Sequence, residues 1–307
     1  MVTSRAGSAR HLPLLPAVAF VLVWSSGYIS GPAAVHAAAP FTVLGWRFVL
    51  AAVIGAGLAL ALRRPTRMTR DAVARVASVG FVMNAVQFGL MYVAFDLGLG
   101  ATLASLFHAL SPVLTALLAA ALLGERVSRV QVLGFVVGVA GVLLVLGADL
   151  GHAGGPVAVV IGLLSMLTLS LGTLGQRWIG AAPDLLWSAA LQFAVSAPPL
   201  LVLGWLTEGA WPVTDERQAV VSVLFLAIVN SIVGLVLLSL LVLRGGSGAA
   251  ASLFFLSPPV TAALAWVVLG ETLSLLQLIG LVVAVVGVGA ATRSRAAPVP
   301  GQAVGSQ

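Results

Sequence analysis

The strongest constraint on this chain is a succession of apolar runs, each about as long as the roughly 20 residues needed to cross hydrocarbon. They fall at 12–35, 41–62, 76–95, 101–123, 130–148, 156–176, 185–206, 219–243, 248–269 and 273–292, with short connectors that hold most of the charge. Only 8% of the residues are charged and 60% are hydrophobic. A soluble domain carries about a quarter charged residues, so this chain cannot coat itself for water and its exterior must face lipid. The pattern predicts an all-α membrane protein with ten transmembrane helices.

The connectors set the orientation. All 15 basic residues are arginine. With the N-terminus in the cytoplasm, Arg5, Arg10, Arg63, Arg64, Arg67, Arg70, Arg75, Arg126, Arg129, Arg177, Arg244, Arg293 and Arg295 fall inside. Arg217 alone falls outside, and Arg47 lies within a span. Asp96, Asp149, Glu208, Asp215, Glu216 and Glu271 fall outside. Excess arginine marks cytoplasmic connectors, which predicts a multi-pass protein of the bacterial cytoplasmic membrane with both termini cytoplasmic. A cleaved leader ending near Ala37-Ala38-Ala39 is the rival reading. Its apolar stretch runs longer than a leader's 7–15 residues, and its removal would delete a helix that the repeat below requires.

At a constant offset of 146 residues the chain resembles itself. Ser111/Ser257, Pro112/Pro258, Thr115/Thr261, Gly124/Gly270, Glu125/Glu271, Gln131/Gln277, Gly134/Gly280 and Gly141/Gly287 coincide, and the same register pairs Asn84 with Asn230. Five helices per repeat is an odd number, so the halves enter the membrane from opposite sides and are inverted. Inverted halves suit alternating access, because exchanging their conformations moves the opening from one side to the other. The expected segments are a cytoplasmic N-terminal stretch (1–11), two five-helix repeats (12–148 and 156–292) and a disordered cytoplasmic tail (293–307).

The paired motifs L-S-P-V-L-T…L-G-E-R and L-S-P-P-V-T…L-G-E-T, with W-S-S-G at residues 24–27 and G-W-R-F at 45–48, resemble the EamA-type carriers of the drug/metabolite transporter superfamily. The resemblance spans about residues 12–292. It implies ten helices in two EamA repeats and, often, secondary export of amino acids or related metabolites; the absence of lysine departs from the family's usual pattern.

Among single residues, Arg47 is the most informative, because a charge in the bilayer core costs about 2.5–3.5 kcal/mol on insertion scales. It sits about 9 Å below the outer end of its helix at 1.5 Å per residue. A lone cation there suits a substrate carboxylate; snorkelling or a structural bond is the plain alternative. Gln192 stands at the comparable place in the seventh run. His108 is the candidate for proton coupling, with a neutral histidine bonded inside the bundle the favoured reading. Asn84, Gln87, Gln192 and Asn230 place amides in apolar spans, where they bind ligand or hold helices together. Trp24, Ser26 and Tyr28 precede Gly31-Pro32, where the first helix is expected to bend or unwind. Pro32, Pro112, Pro258 and Pro259 are helix-kink candidates. Glu125 and Glu271 are expected to cap the helices that follow them. Residues 134–138 (G-x-x-x-G) and the pair Gly280 and Ala284 are expected packing faces.

Several classes fall away. Cys is absent, which removes disulfides and thiolate chemistry. Without lysine there is no Walker phosphate loop. His11, His36, His108 and His152 lie in separate segments without metal-ligand spacing, and no G-x-S-x-G elbow occurs. An enzyme is disfavoured, and no cofactor, metal or nucleic acid is expected. The partners expected are a small-molecule substrate and the lipid bilayer, with proton coupling and a homodimer left open. A drug, nucleotide-sugar or lipid-component carrier is the alternative cargo reading.

Overall fold

The computed structural model describes residues 13–125, 127–147, 153–179, 184–209, 213–245 and 253–293. The N-terminal stretch, the tail after Arg293, and Arg126, Asp149 and His152 lie outside the described residues. Within them the fold is helical, with one isolated β-bridge between Ala38 and Val213. Eight helices are long and apolar enough to cross a membrane: α1 (Leu14–Ala37), α2 (Pro40–Ala61), α3 (Arg70–Asp96), α4 (Ala101–Leu123), α5 (Arg129–Gly147), α6 (Gly155–Ile179), α7 (Leu185–Thr207) and α8 (Glu216–Leu238, helical on to Gly245). Two shorter apolar helices follow, α9 (Leu253–Leu269) and α10 (Leu275–Arg293).

The outer faces of these helices stay apolar: Val53, Leu133, Trp205, Val267 and Val282 are all exposed. In water such surface would drive aggregation; in a bilayer it is the solvent-matched face. α3 starts six residues before the apolar run, at Arg70. The Thr69 hydroxyl accepts from Ala72 N at 3.2 Å, and Asp71 sits in the first turn, so a capped polar turn extends the helix beyond its apolar part.

The tightest packing joins α5 to α10. A Cβ on Gly141 would lie 2.3 Å from Ala284 N and 2.6 Å from Gly280 O. On Gly134 it would lie 2.5 Å from Gly287 O, and on Gly287 it would lie 2.9 Å from Gly134 O. Small residues let the two backbones touch, which is how helices bind without a hydrophobic drive between them. These contacts are reciprocal: Gly134 meets Gly287 while Gly280, its counterpart, meets Gly141. A second reciprocal set is polar. Ser111 Oγ meets Ser170 Oγ at 3.0 Å, and Ser257 Oγ meets Ser25 Oγ at 3.2 Å. Ser25 and Ser170 thus meet matching serines and lie 145 residues apart, on α1 and α6.

Several local expectations are corrected. Glu271 does not cap α10; its Oε1 accepts from Ala101 N (3.1 Å) and its Oε2 from Thr102 Oγ1 (3.2 Å), capping α4 across the fold. Glu125 caps no helix among the described residues and pairs with Arg177 at 2.9 Å on the surface. The starts of α5 and α10 are closed instead by Ser-x-x-Gln boxes. Ser128 N donates to Gln131 Oε1 (2.8 Å) and Ser274 N to Gln277 Oε1 (2.7 Å), while each glutamine N donates back to its serine Oγ. α1 does not unwind at Gly31-Pro32; it stays helical through Ala37, and proline removes only one intrahelical donor. Pro112, by contrast, stays a kink candidate: it lies inside α4, which is helical from Ala101 to Leu123. Pro258 and Pro259 do not kink a continuous helix, because α9 is 3₁₀ over Leu253–Leu256 and α-helical only from Ser257. That places Pro258 in an opening turn, where its missing N–H costs nothing.

Two wide turns went unpredicted. α3 is π-helical over Phe81–Val86 and α8 over Leu226–Val233. At the 146-residue offset these segments coincide, and they carry Asn84 and Asn230.

Candidate functional site

Between α1, α2, α3, α4, α6, α7 and α8 lies a cavity of about 500 Å³. It runs from Arg47, Tyr92 and Phe95 to Ile179, Leu185 and Leu238, at the end of the bundle where α6 passes into α7. At the opposite end the helices are tied together. Thr214 Oγ1 donates to His36 O (2.8 Å), Gln218 Nε2 to Ala33 O (2.9 Å), and Glu208 accepts from Phe41 N (2.6 Å), Thr42 N (2.9 Å) and Thr42 Oγ1 (2.8 Å). The Phe95 ring seals against Gly31, where a Cβ would lie 2.7 Å from it.

Arg47 reaches the cavity from the middle of α2 and is 5% exposed. Its Nε donates to Ser231 Oγ at 3.2 Å and its Nη1 to Tyr92 OH at 3.1 Å. The guanidinium carbon lies 4.6 Å from the Phe88 ring centroid and 5.3 Å from that of Phe48. Both hydrogen-bond partners are neutral. Among the described residues, which include eight of the nine acidic ones, no carboxylate lines the cavity. The cation is thus held by two hydroxyls and two aromatic faces, with its charge uncompensated. Aromatic faces and neutral acceptors stabilise a desolvated guanidinium only in part, so the site is set up to gain from an incoming anion.

His108 is bonded on both sides. Nδ1 meets Tyr28 OH at 2.9 Å, while Nε2 meets Gln87 Nε2 (3.2 Å) and Ser165 Oγ (3.3 Å). Ser165 Oγ also donates to Gln87 O at 2.9 Å. This network pins α1, α3, α4 and α6 together along one wall. Gln192 Oε1 accepts from Gln176 Nε2 at 3.3 Å on another wall. Trp24 lines the cavity and packs edge-on against Phe254 of α9, centroids 4.8 Å apart. Asn230 Nδ2 donates to Val23 O (2.6 Å) and lies 3.4 Å from Ser26 Oγ. Asn84 lines the cavity with no side-chain hydrogen bond among the described residues.

Of the nine candidates, Arg47, Trp24, Tyr28, Asn84, Gln87, His108, Gln192 and Asn230 line this one cavity. Ser26 does not; its hydroxyl bonds Val23 O at 2.7 Å behind Asn230. The sequence reading missed Tyr92, Ser231 and Phe88, which hold Arg47, and Ser165 and Gln176. A signal for Tyr92 existed: the chain has two tyrosines, and a cation buried in an apolar span needs a neutral acceptor nearby.

The model of the EamA-like transporter family matches residues 12–147 and 156–293. A probable amino-acid metabolite efflux pump of Salmonella typhimurium is 27% identical over 284 residues, covering 88% of this chain and 91% of that relative. A probable terminal-alkyne amino-acid exporter of Streptantibioticus cattleyicolor is 30% identical over 249 residues, covering 78% of each. A solved crystal structure superposes with a TM-score of 0.65 at 19% identity, over 91% of this chain and 96% of that one. At that identity the likeness speaks to fold alone.

Proposed function

We propose that this chain, which belongs to the EamA-like transporter family, is a secondary carrier that exports an amino acid or related metabolite bearing a carboxylate. The observation that carries the reading is the uncompensated Arg47 cation in a cavity with no carboxylate of its own among the described residues. The relatives' names, an amino-acid metabolite efflux pump and an amino-acid exporter, support the same cargo class.

In this reading ten helices form two inverted repeats. The reciprocal glycine contacts of α5 and α10, the paired serine bonds and the coincident π-segments support that symmetry, since two-fold related surfaces meet as i with j and j with i. The open end of the cavity lies at the end of the bundle that bears Arg63, Arg64, Arg67, Arg70, Arg75 and Arg177, so positive-inside orientation makes the described state inward-open. Cargo enters from the cytoplasm and sets its carboxylate on Arg47, whose fork takes two oxygens at once. Exchange of the halves' conformations then carries it outward. His108, bonded by neutral partners, is a wall residue here. A nucleotide-sugar fits poorly, because one cation cannot offset a diphosphate.

The test compares metabolites released by cells producing the wild type, Arg47→Ala, or neither, at matched membrane levels. A carboxylate that accumulates only with the wild type supports the reading. Release unchanged by Arg47→Ala removes Arg47 from the path, and no release above empty cells removes the exporter.

A further inference from the structure

The two halves place the same amide in the same wide turn, yet use it differently. Asn84 lies in the π-segment of α3 and Asn230 in that of α8, 146 residues apart. Asn230 is engaged: its Nδ2 donates to Val23 O at 2.6 Å, and Gly27 lets α8 sit on α1 there, since a Cβ on it would lie 3.0 Å from that nitrogen. Asn84 is disengaged. It is 8% exposed, lines the cavity and makes no side-chain hydrogen bond among the described residues.

The 145-residue register of α1 and α6 identifies what Asn84 lacks. Val23 corresponds to Thr168 and Gly27 to Gly172. The π-segment of α3 already packs on α6 at Gly172, where a Cβ would lie 2.9 Å from Met83 Cβ. The docking surface for Asn84 is therefore present, and the Thr168 carbonyl is the matching acceptor. The Asn84 amide faces the cavity instead, so in this half the matching bond is available and not made.

We infer that Asn84 and Asn230 are reciprocal clamps: Asn230 locks α8 to α1 while the cavity opens at the α6–α7 end, and Asn84 locks α3 to α6 when it opens at the other. The inference rests on the inverted-repeat carrier proposed above. In such a carrier the second state is the first with the halves' conformations exchanged, so the engaged and free amides exchange with it. The wide turn suits this role, because a π-segment leaves backbone groups free to re-pair as helices shift.

The chain contains no cysteine, so single reporter cysteines can be introduced into the full-length protein in proteoliposomes. Ser188→Cys reports the open mouth of the cavity. Ala34→Cys, at a site 0% exposed on α1, reports opening at the far end. Alkylation rates are read in four backgrounds: wild type, Asn84→Ala, Asn230→Ala and both together. Asn230→Ala should slow labelling at residue 188 and speed it at residue 34, and Asn84→Ala should do the reverse, each by about three-fold for one lost interhelical hydrogen bond. The double variant should return both rates toward wild type. Asn→Leu at each position repeats the test without a cavity, with thermal melting checked beside it. Shifts in the same direction, or none, overturn the clamp even where wild-type counterflow is intact. Opposite shifts without any counterflow keep the clamp and overturn the carrier.

Discussion

Replacing Arg47 by Met separates binding from folding. The side chain makes two hydrogen bonds to neutral hydroxyls, at 3.2 and 3.1 Å, and pairs with no carboxylate among the described residues. Its removal therefore strands no buried opposite charge, and replacing buried ionic groups by apolar ones of similar volume is often neutral or stabilising. The loss of the Ser231 and Tyr92 bonds offsets this by about 0.6 kcal/mol each. Stability without cargo should thus stay within about 1 kcal/mol of wild type. Cargo binding should fall far more. Truncating one side of a buried charged pair costs about 2–5 kcal/mol, which is about 30- to 4,000-fold in affinity at 1.4 kcal/mol per decade. The assay is binding to purified protein of a carboxylate ligand and its neutral amide, beside thermal unfolding of both proteins. Wild type should prefer the carboxylate and Arg47→Met should prefer neither. Arg47→Lys should be intermediate, since it keeps the charge and loses the fork. A variant that keeps the preference, or that unfolds while binding normally, refutes the reasoning.

Gly141→Val should destabilise by about 3 kcal/mol or abolish folding, because the new Cβ meets backbone of α10 at 2.3 Å; Gly57→Ala, with nothing within 4 Å, should hold stability or raise it by up to about 1 kcal/mol. Thermal unfolding of the pair in detergent decides. Glu271→Ala should cost about 1 kcal/mol through the lost cap on α4, seen as a lowered midpoint; an unchanged midpoint removes the cap from the account. Ser111→Ala and Ser257→Ala should each cost about 0.6 kcal/mol, and a several-fold difference between them would break the equivalence of the two serine pairs.

The sequence carried the helices well, because the apolar runs are long and their charges lie at the ends, where lipid forces them. It also brought eight of its nine site candidates to one cavity, since polar side chains in apolar spans have few places to go except inward. What it did not carry were effects of one half on the other. Glu271 looks like a cap for the helix that follows it, and only packing brings Ala101 and Thr102 within its reach. The π-turns at Asn84 and Asn230 leave no mark in hydropathy, because one extra residue per turn barely alters an apolar pattern. Tyr92 sits 45 positions from Arg47, a distance no local periodicity bridges.

The borrowed caps bear on how the chain is made. α7 closes its own start, with Asp184 accepting from Leu186 N and Trp187 N. α2 and α4 have no side-chain cap of their own; theirs are Glu208 and Glu271, which the ribosome delivers only after the first five helices have left it. Until then those two helix starts depend on water or lipid headgroups, and the glycine face of α5 has no α10 to meet. The amino-terminal half is thus an assembly intermediate by construction. Synthesised alone, it should be short-lived in the membrane, and supplying the carboxyl-terminal half from a second transcript should rescue it.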